Sequence, residues 1–283
     1  MTHFPRRSGF TLIELVLTLT IVAILAVILG EILYAPVAGY FAATRRARLV
    51  GDAGMALSLM TRDVHAALPN SVRTTSQGGV EALEILFTLD GARYRDGPGG
   101  AYTSPSDILT FNTPSSGFNI LGTFQNLALP LTSTSDALVI YNTGQPGADA
   151  YDDKAGPPNV ITPPGTTITI TAGTPEDHVA INPAFRFAYP SPDDRVYLVS
   201  GPVSWFCDPA LGTLRRDSGY PIQATEPVSS SAGTLEADHV SACSFDYDPG
   251  TAQRNGLLTV TLSLSKNGET ITLVREMQVL NAS

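Results

Sequence analysis

Between Phe10 and Gly30 the chain runs for 21 residues with one side chain charged at neutral pH, Glu14. At about 1.5 Å per residue, a helix of that length reaches about 31 Å, close to the ~30 Å hydrocarbon core of a bilayer. Arg6 and Arg7 lie just before it and match the positive-inside bias. A cleaved secretory signal would need a small-residue cleavage site after the apolar run. None is well placed, because Glu31 follows Gly30 and the helical pattern continues past Tyr34. A plain signal anchor accounts for the arginines but not for Glu14. A carboxylate at that depth costs on the order of 2.5–3.5 kcal/mol on insertion scales, so it calls for a partner.

The residues Gly9-Phe10-Thr11-Leu12-Ile13-Glu14, after a short basic leader and before an apolar helix, resemble the processing site of type IV prepilins and type II secretion pseudopilins. The resemblance implies that a prepilin peptidase cuts between Gly9 and Phe10 and that Phe10 becomes the N-methylated first residue. Glycine suits that position, since it lets a protease approach the backbone with no Cβ in the way. Glu14 becomes the fifth mature residue, whose carboxylate in this family meets the N-terminal amine of a neighbouring subunit. Opposite charges in a low-dielectric setting attract far more than in water, so pairing offsets the burial of both.

Residues 1–9 are therefore expected to be a cleaved leader, 10–30 a transmembrane helix, 31–69 an amphipathic continuation and 70–283 a β-rich head. The periodicity supports one helix over 10–68. Leu49, Ala53, Ala56, Leu59, Met60, Val64, Ala67 and Leu68 recur every three or four residues. Arg45, Arg46, Arg48, Asp52, Arg62, Asp63 and His65 fill the other face, and Pro69-Asn70 ends the pattern. Gly30, Pro36 and Gly39 predict a bend, because an interior proline removes one backbone hydrogen bond. The resemblance implies that the second half of the helix packs on a sheet. The expected fold class is α+β: a long N-terminal helix packed on a β-rich, largely antiparallel, pilin-like head.

After residue 70 the texture changes. Eighteen of 21 prolines follow Pro69, and short Thr-, Val- and Ile-rich runs alternate with turns, which predicts strands. They are expected over 82–89, 107–112, 118–129, 137–142, 166–171, 178–189, 195–200, 203–207, 212–216, 239–248, 257–265 and 269–279. In the last pair, Leu258, Val260, Leu262 and Leu264 alternate with Thr259, Thr261 and Ser263, and Asn267-Gly268 supplies a two-residue hairpin turn. The Pro- and Gly-rich stretch 145–165 reads as an exposed excursion.

Charge is uneven. Through Arg73 there are 7 Lys+Arg against 4 Asp+Glu; thereafter 10 against 22. An acidic head lacks the basic face that a phosphate-backbone binder needs, so no nucleic-acid partner is expected. Cys207 and Cys243 are the two cysteines. Beyond the inner membrane the compartment is oxidising, so a disulfide is the expected state, with two buried free thiols the alternative. Zinc is disfavoured, since neither cysteine has a CxxC partner. No nucleophile elbow, HExxH, P-loop or dinucleotide fingerprint is present, and no cofactor or enzymatic activity is expected. Three acidic clusters, around Asp149–Asp152–Asp153, Asp193–Asp194 and Asp246–Asp248, could offer oxygen ligands to calcium, as some relatives of this class do. None follows EF-hand order, and solvated turns explain them.

A narrower resemblance rests on Trp205-Phe206-Cys207-Asp208, Gly212-Thr213-Leu214-Arg215-Arg216, Gly219-Tyr220 and Cys243-Ser244-Phe245-Asp246-Tyr247. Tyr40-Phe41, Arg46 to Val50 and Arg62 to Arg73 add to it. These are similar to the MshO-type minor pilins of mannose-sensitive haemagglutinin (MSHA) pilus systems. Broader kin are J-type minor pseudopilins and W-type minor pilins. The implied partners are other pilins or pseudopilins in a helical filament, the prepilin peptidase, the inner-membrane assembly platform and membrane lipid around residues 10–30. The implied location is the bacterial inner membrane, single-pass with the leader cytoplasmic and the head periplasmic, then a cell-surface or periplasmic filament. Two roles follow: a low-copy subunit that primes or caps assembly, or an adhesin displayed at the tip.

Overall fold

The computed structural model describes residues 9–100, 102–152, 157–251 and 254–281. The class is α+β: one long N-terminal helix and a β-rich head in which the strand pairs among the described residues are antiparallel. The chain divides into two compact units, Met1–Leu49 and Val50–Ser283. Helix α1 (Leu12–His65) supplies nearly all of the first unit's described structure, and its last turns belong to the second.

The sequence pattern over-extends the helix at its end. Periodicity runs to Leu68, but α1 stops at His65. The next residues are taken up by a strand: Leu68 N–H donates to Leu86 O at 2.8 Å, and Thr88 N–H donates to Ala66 O at 2.8 Å. Backbone partners from the sheet replace the last helical hydrogen bonds, a tertiary override of local pattern. Within the second unit Ala53, Ala56, Leu57, Met60 and Val64 are buried, as the stripe predicts for most of them. Leu57 is an addition, and Asp63, assigned to the polar face, is fully buried.

Among the described residues the head forms three sheets. The largest follows the order β1-β2-β8-β9-β10, with β5 also pairing β8. Its members are β1 (Arg73–Gln77), β2 (Val80–Arg93), β5 (Ala137–Val139), β8 (Arg195–Asp208), β9 (Thr213–Ser218) and β10 (Thr234–Asp238). A second sheet, β3-β7-β6-β4, comprises β3 (Ser115–Asn119), β7 (His178–Phe185), β6 (Thr167–Thr171) and β4 (Leu131–Ser133). The third is the meander β11 (Val240–Asp248), β12 (Gly256–Lys266) and β13 (Glu269–Val279). Lys266 pairs with Glu269 across the turn, and Asn267 and Gly268 both adopt positive φ (50° and 81°), as a type I′ turn requires.

Elsewhere the strand pattern needs correction. The two runs 195–200 and 203–207 are one 14-residue strand, β8, which continues through Gly201 at φ 116° and Pro202. Opposite them, the register of β2 shifts between Phe87 and Asp90, so a bulge absorbs the irregularity. Residues 107–112 form no strand. Leu109 N–H donates to Arg95 O and Asn119 N–H to Asp107 O, each a single tie rather than a ladder. Of 118–129 only the first residues pair. The stretch 145–165 is not an exposed excursion: among its described residues Ala150, Tyr151, Val160, Ile161 and Thr162 are buried, and Leu138 and Ile140 bond to its backbone.

Among the described residues, buried apolar side chains gather into clusters inside the head. One gathers Phe118, Ile168, Ile170, Val179 and Ile181 of the second sheet and Ile120 just after β3 with Leu138, Val196 and Leu198 of the first. Another gathers Leu68, Leu86, Val139, Tyr151, Val160 and Val199. Full burial of each such side chain is worth about 1.5–3 kcal/mol, so burial of this kind contributes heavily to the head's stability.

Candidate functional site

The candidate assembly site is the N-terminal end of α1. Gly9 and Phe10 precede the helix and are exposed; Phe10 is 73% exposed, and nothing lies within 4 Å of where a Cβ on Gly9 would sit. Space around that peptide bond is what an incoming protease requires. Arg6 and Arg7 lie outside the described residues. Thr11 opens the helix: Glu14 N–H reaches Thr11 O at 3.1 Å and Thr11 Oγ1 at 3.4 Å. Thr11-Leu12-Ile13-Glu14 therefore has the spacing of a capping box, with an acid in the first turn where the helix dipole favours it. Sequence reading assigned Glu14 to assembly and overlooked Thr11, although the T-x-x-E signature was visible. Glu14 itself is exposed, as are all residues from Phe10 through Phe41.

The helix is long and apolar enough to cross a membrane, and none of its most apolar window is buried within the chain. Thr18 and Thr20 return their hydroxyl protons to the carbonyls of Leu15 and Leu17, so these polar groups are satisfied inside the helix. Gly30, Pro36 and Gly39 all lie within unbroken helix.

The head's polar anchors are buried rather than gathered into a reactive cleft. Asp63, in the last turn of α1, accepts from Arg216 Nε at 2.6 Å, Arg216 Nη2 at 3.2 Å and Trp205 Nε1 at 3.1 Å. The Asp63 side chain is 0% exposed, so this pair fastens the helix end to β8 and β9. Glu84 on β2 is equally buried and takes Arg73 Nη2 at 2.8 Å, Tyr220 Oη at 3.0 Å and Ser204 Oγ at 3.3 Å. Arg73 also donates to the carbonyls of Ala224 and Gln223 and stacks over the Tyr151 ring at 3.7 Å. Glu226 lies nearby, 7% exposed, with neither carboxylate oxygen in a hydrogen bond. Burial pushes it up to about 7, opposed in part by the neighbouring Thr75 hydroxyl and Arg73; repulsion from Glu84 adds to the rise. Elsewhere Arg95 donates from Nε and Nη2 to the two carboxylate oxygens of Glu176, which holds that carboxyl below its ordinary range.

Cys207 of β8 and Cys243 of β11 are joined, with Cα atoms 6.5 Å apart, so the bond crosses from the large sheet to the terminal meander. The acidic clusters have local partners. Asp248 accepts from Gly250 N–H and Arg254, Asp194 from Arg93, and Asp193 pairs with Arg195. Among the described residues no group of three His, Cys, Asp or Glu side chains is placed to hold a metal ion.

A cavity of about 210 Å³ opens in the head between Tyr151, Ile161, Phe185, Val199, Tyr220 and Pro221. Asp136 and Asn159 add polar groups at its wall. The hydroxyls of Tyr151 and Tyr220 are already committed, to Ser71 O and to Glu84.

No curated protein and no solved structure matches the chain. Residues 4–30 match the family model described as the prokaryotic N-terminal methylation motif. The matched segment contains the whole exposed site from Gly9 through Glu14 and the apolar helix as far as Gly30, and it supports a membrane-anchored protein of the type IV prepilin-like kind.

Proposed function

We propose that the chain is a minor pilin or pseudopilin, a low-copy structural subunit that primes or caps a type IV pilus-like filament, of the MSHA type. The observation that carries this reading is the methylation motif running directly into a helix that is exposed on every side from Leu12 through Phe41. In this reading a peptidase cuts between Gly9 and Phe10, Phe10 is N-methylated, and Arg6 and Arg7 leave with the leader. The Phe10 amine of one subunit then neutralises the Glu14 carboxylate of the next. Gly30, Pro36 and Gly39 form the bend that lets the helix adjust as subunits pack. The head is much larger than the helix needs, which favours a priming or capping subunit over the bulk filament subunit. Head-to-tail contacts that do not close generate an open helix, the geometry a filament needs.

The test is N-terminal sequencing of the mature protein from membranes. A chain that begins with methylated Phe10 is the expected result; one that begins at Met1 removes the basis of the assembly role. A second reading, a binding head displayed at the filament tip, is favoured by the cavity beside Tyr151 and Tyr220. Gene deletion separates the two. Loss of all filaments supports priming, whereas intact filaments that fail to attach support adhesion. A type II secretion pseudopilin would instead show a secretion defect without a surface fibre.

A further inference from the structure

The wall of the cavity in the head joins apolar rings to an unanswered charge. Its volume is about 210 Å³. A dry apolar cavity of about 150 Å³ already takes up benzene, so a single ring with a short substituent fits. Tyr151, Phe185 and Tyr220 bring rings to the wall. The hydroxyl ends of both tyrosines are held by Ser71 O and Glu84, so what they offer the cavity is the ring and not the hydroxyl. Pro163, Pro164, Pro202 and Pro221 also line it, and prolines lose no rotamer freedom when a ligand is held.

The polar groups at the wall are mostly committed. Thr162 Oγ1 accepts from Leu138 N–H, Asn159 Oδ1 accepts from Val160 N–H, and the Ser135 hydroxyl bonds that of Ser133. Asp152 is engaged as well. Asp136 differs. Its backbone N–H donates to Ser133 Oγ, but among the described residues nothing donates to its carboxylate, and the residue is half-buried. No lysine, arginine or histidine stands among the described lining residues. Arg73, which covers one face of the Tyr151 ring, is paired with Glu84.

We propose that this cavity binds a small organic cation, an aromatic ring carrying an ammonium group on a short alkyl arm. The ring sits among Tyr151, Phe185 and Tyr220, and the ammonium meets the Asp136 carboxylate. Charge selects among ligands of that size. An anion is repelled by the carboxylate, with no lining cation to offset it. A neutral ring gains apolar contact and nothing more. A cation gives up water on entry, and recovers that cost from a charge-assisted hydrogen bond and from ring faces, which attract positive charge. The inference rests on the second reading above, a head that binds, and names the chemistry of what it holds.

The test uses the full chain in nonionic detergent, titrated calorimetrically with 2-phenylethylamine, 2-phenylethanol and phenylacetate. The three share a ring and differ in charge. The expected result is saturable binding of the amine at one site, with the alcohol about tenfold weaker, as one hydrogen bond to a charged group is worth, and phenylacetate weaker still. Asp136→Asn should bring the amine down to the affinity of the alcohol and leave the alcohol unchanged. Ser135→Trp, made at an exposed wall position, puts an indole into the cavity and should abolish binding of all three with the melting temperature retained. Equal affinity for the three ligands, amine binding that survives both substitutions, or no saturable binding overturns the proposal. Attachment of cells carrying Asp136→Asn keeps the two readings apart. Normal attachment with the amine preference lost overturns the adhesive role alone, whereas the titration decides the site whatever the cells do.

Discussion

Asp63 is the residue on which the helix end depends. Its carboxylate is fully buried and has a guanidinium and an indole N–H as partners. Asp63→Ala leaves Arg216 and Trp205 Nε1 facing a void, and breaking a buried pair from one side costs about 3–5 kcal/mol. Urea unfolding of the detergent-solubilised protein should show a clear loss of midpoint with Asp63→Ala, and a much smaller one with His65→Ala, whose side chain is exposed. Glu226 gives a pH dependence of the opposite sign to most carboxylates. Its folded pKa lies above its ordinary value, near 7, so the folded state holds the proton longer than the unfolded chain. The fold is then spared a buried charge below about pH 4.5, and stability falls as pH rises from there through 7. The loss is on the order of 3 kcal/mol, from about 1.36 kcal/mol per pKa unit. Glu226→Gln should remove this fall: the melting-temperature gap between variant and wild type should widen from pH 4.5 to 7 and stay level above it. A constant gap would mean that Glu226 has an unrecognised partner.

At the scale of elements, local chemistry told most where it acts alone. The methylation motif, the long helix and the β12–β13 hairpin are all read from adjacent residues: an apolar run, a three-to-four stripe, an Asn-Gly turn. Gly268→Val should therefore cost about 1–2 kcal/mol, since a β-branched residue resists φ 81°, whereas Asn267→Gly should be near neutral. Paired equilibrium unfolding curves measure both. What escaped was set by distant partners. β1 is the polar run Arg-Thr-Thr-Ser-Gln, with no apolar alternation, and it becomes a strand because Gly78-Gly79 folds it back on β2. β10 pairs with β9 across a 15-residue connection that carries Glu226. The buried Asp63 was invisible because its partners, Trp205 and Arg216, lie more than 140 residues away. Pairing of Cys207 with Cys243 closes a loop of 35 intervening residues, worth about 3–4 kcal/mol in the chain-entropy model. The Cys207→Ala/Cys243→Ala double variant should lower the unfolding midpoint accordingly, and reductant should shift wild type but not the variant.

For the whole molecule, the N-terminal site is the part a sequence can state most fully, because a processing enzyme reads residues in order rather than a folded surface. In the assembly reading the head's role lies in surfaces that would meet other chains, and such surfaces leave little trace in composition. Glu14→Ala should leave the head's melting temperature unchanged while reducing recovery of the protein in sheared filaments relative to membranes, as judged by immunoblotting of the two fractions. Equal recovery would show that Glu14 serves only as the acid of the first helical turn.

The position of Cys207 also bears on how the head would carry tension. Asp63 fastens the last turn of α1 to Trp205 on β8, and two residues farther along that strand a covalent bond leads into β11. A pull along the helix therefore reaches the large sheet first and is shared with the terminal meander two residues from its point of entry. With the sulfurs reduced, the same pull would fall on hydrogen bonds alone.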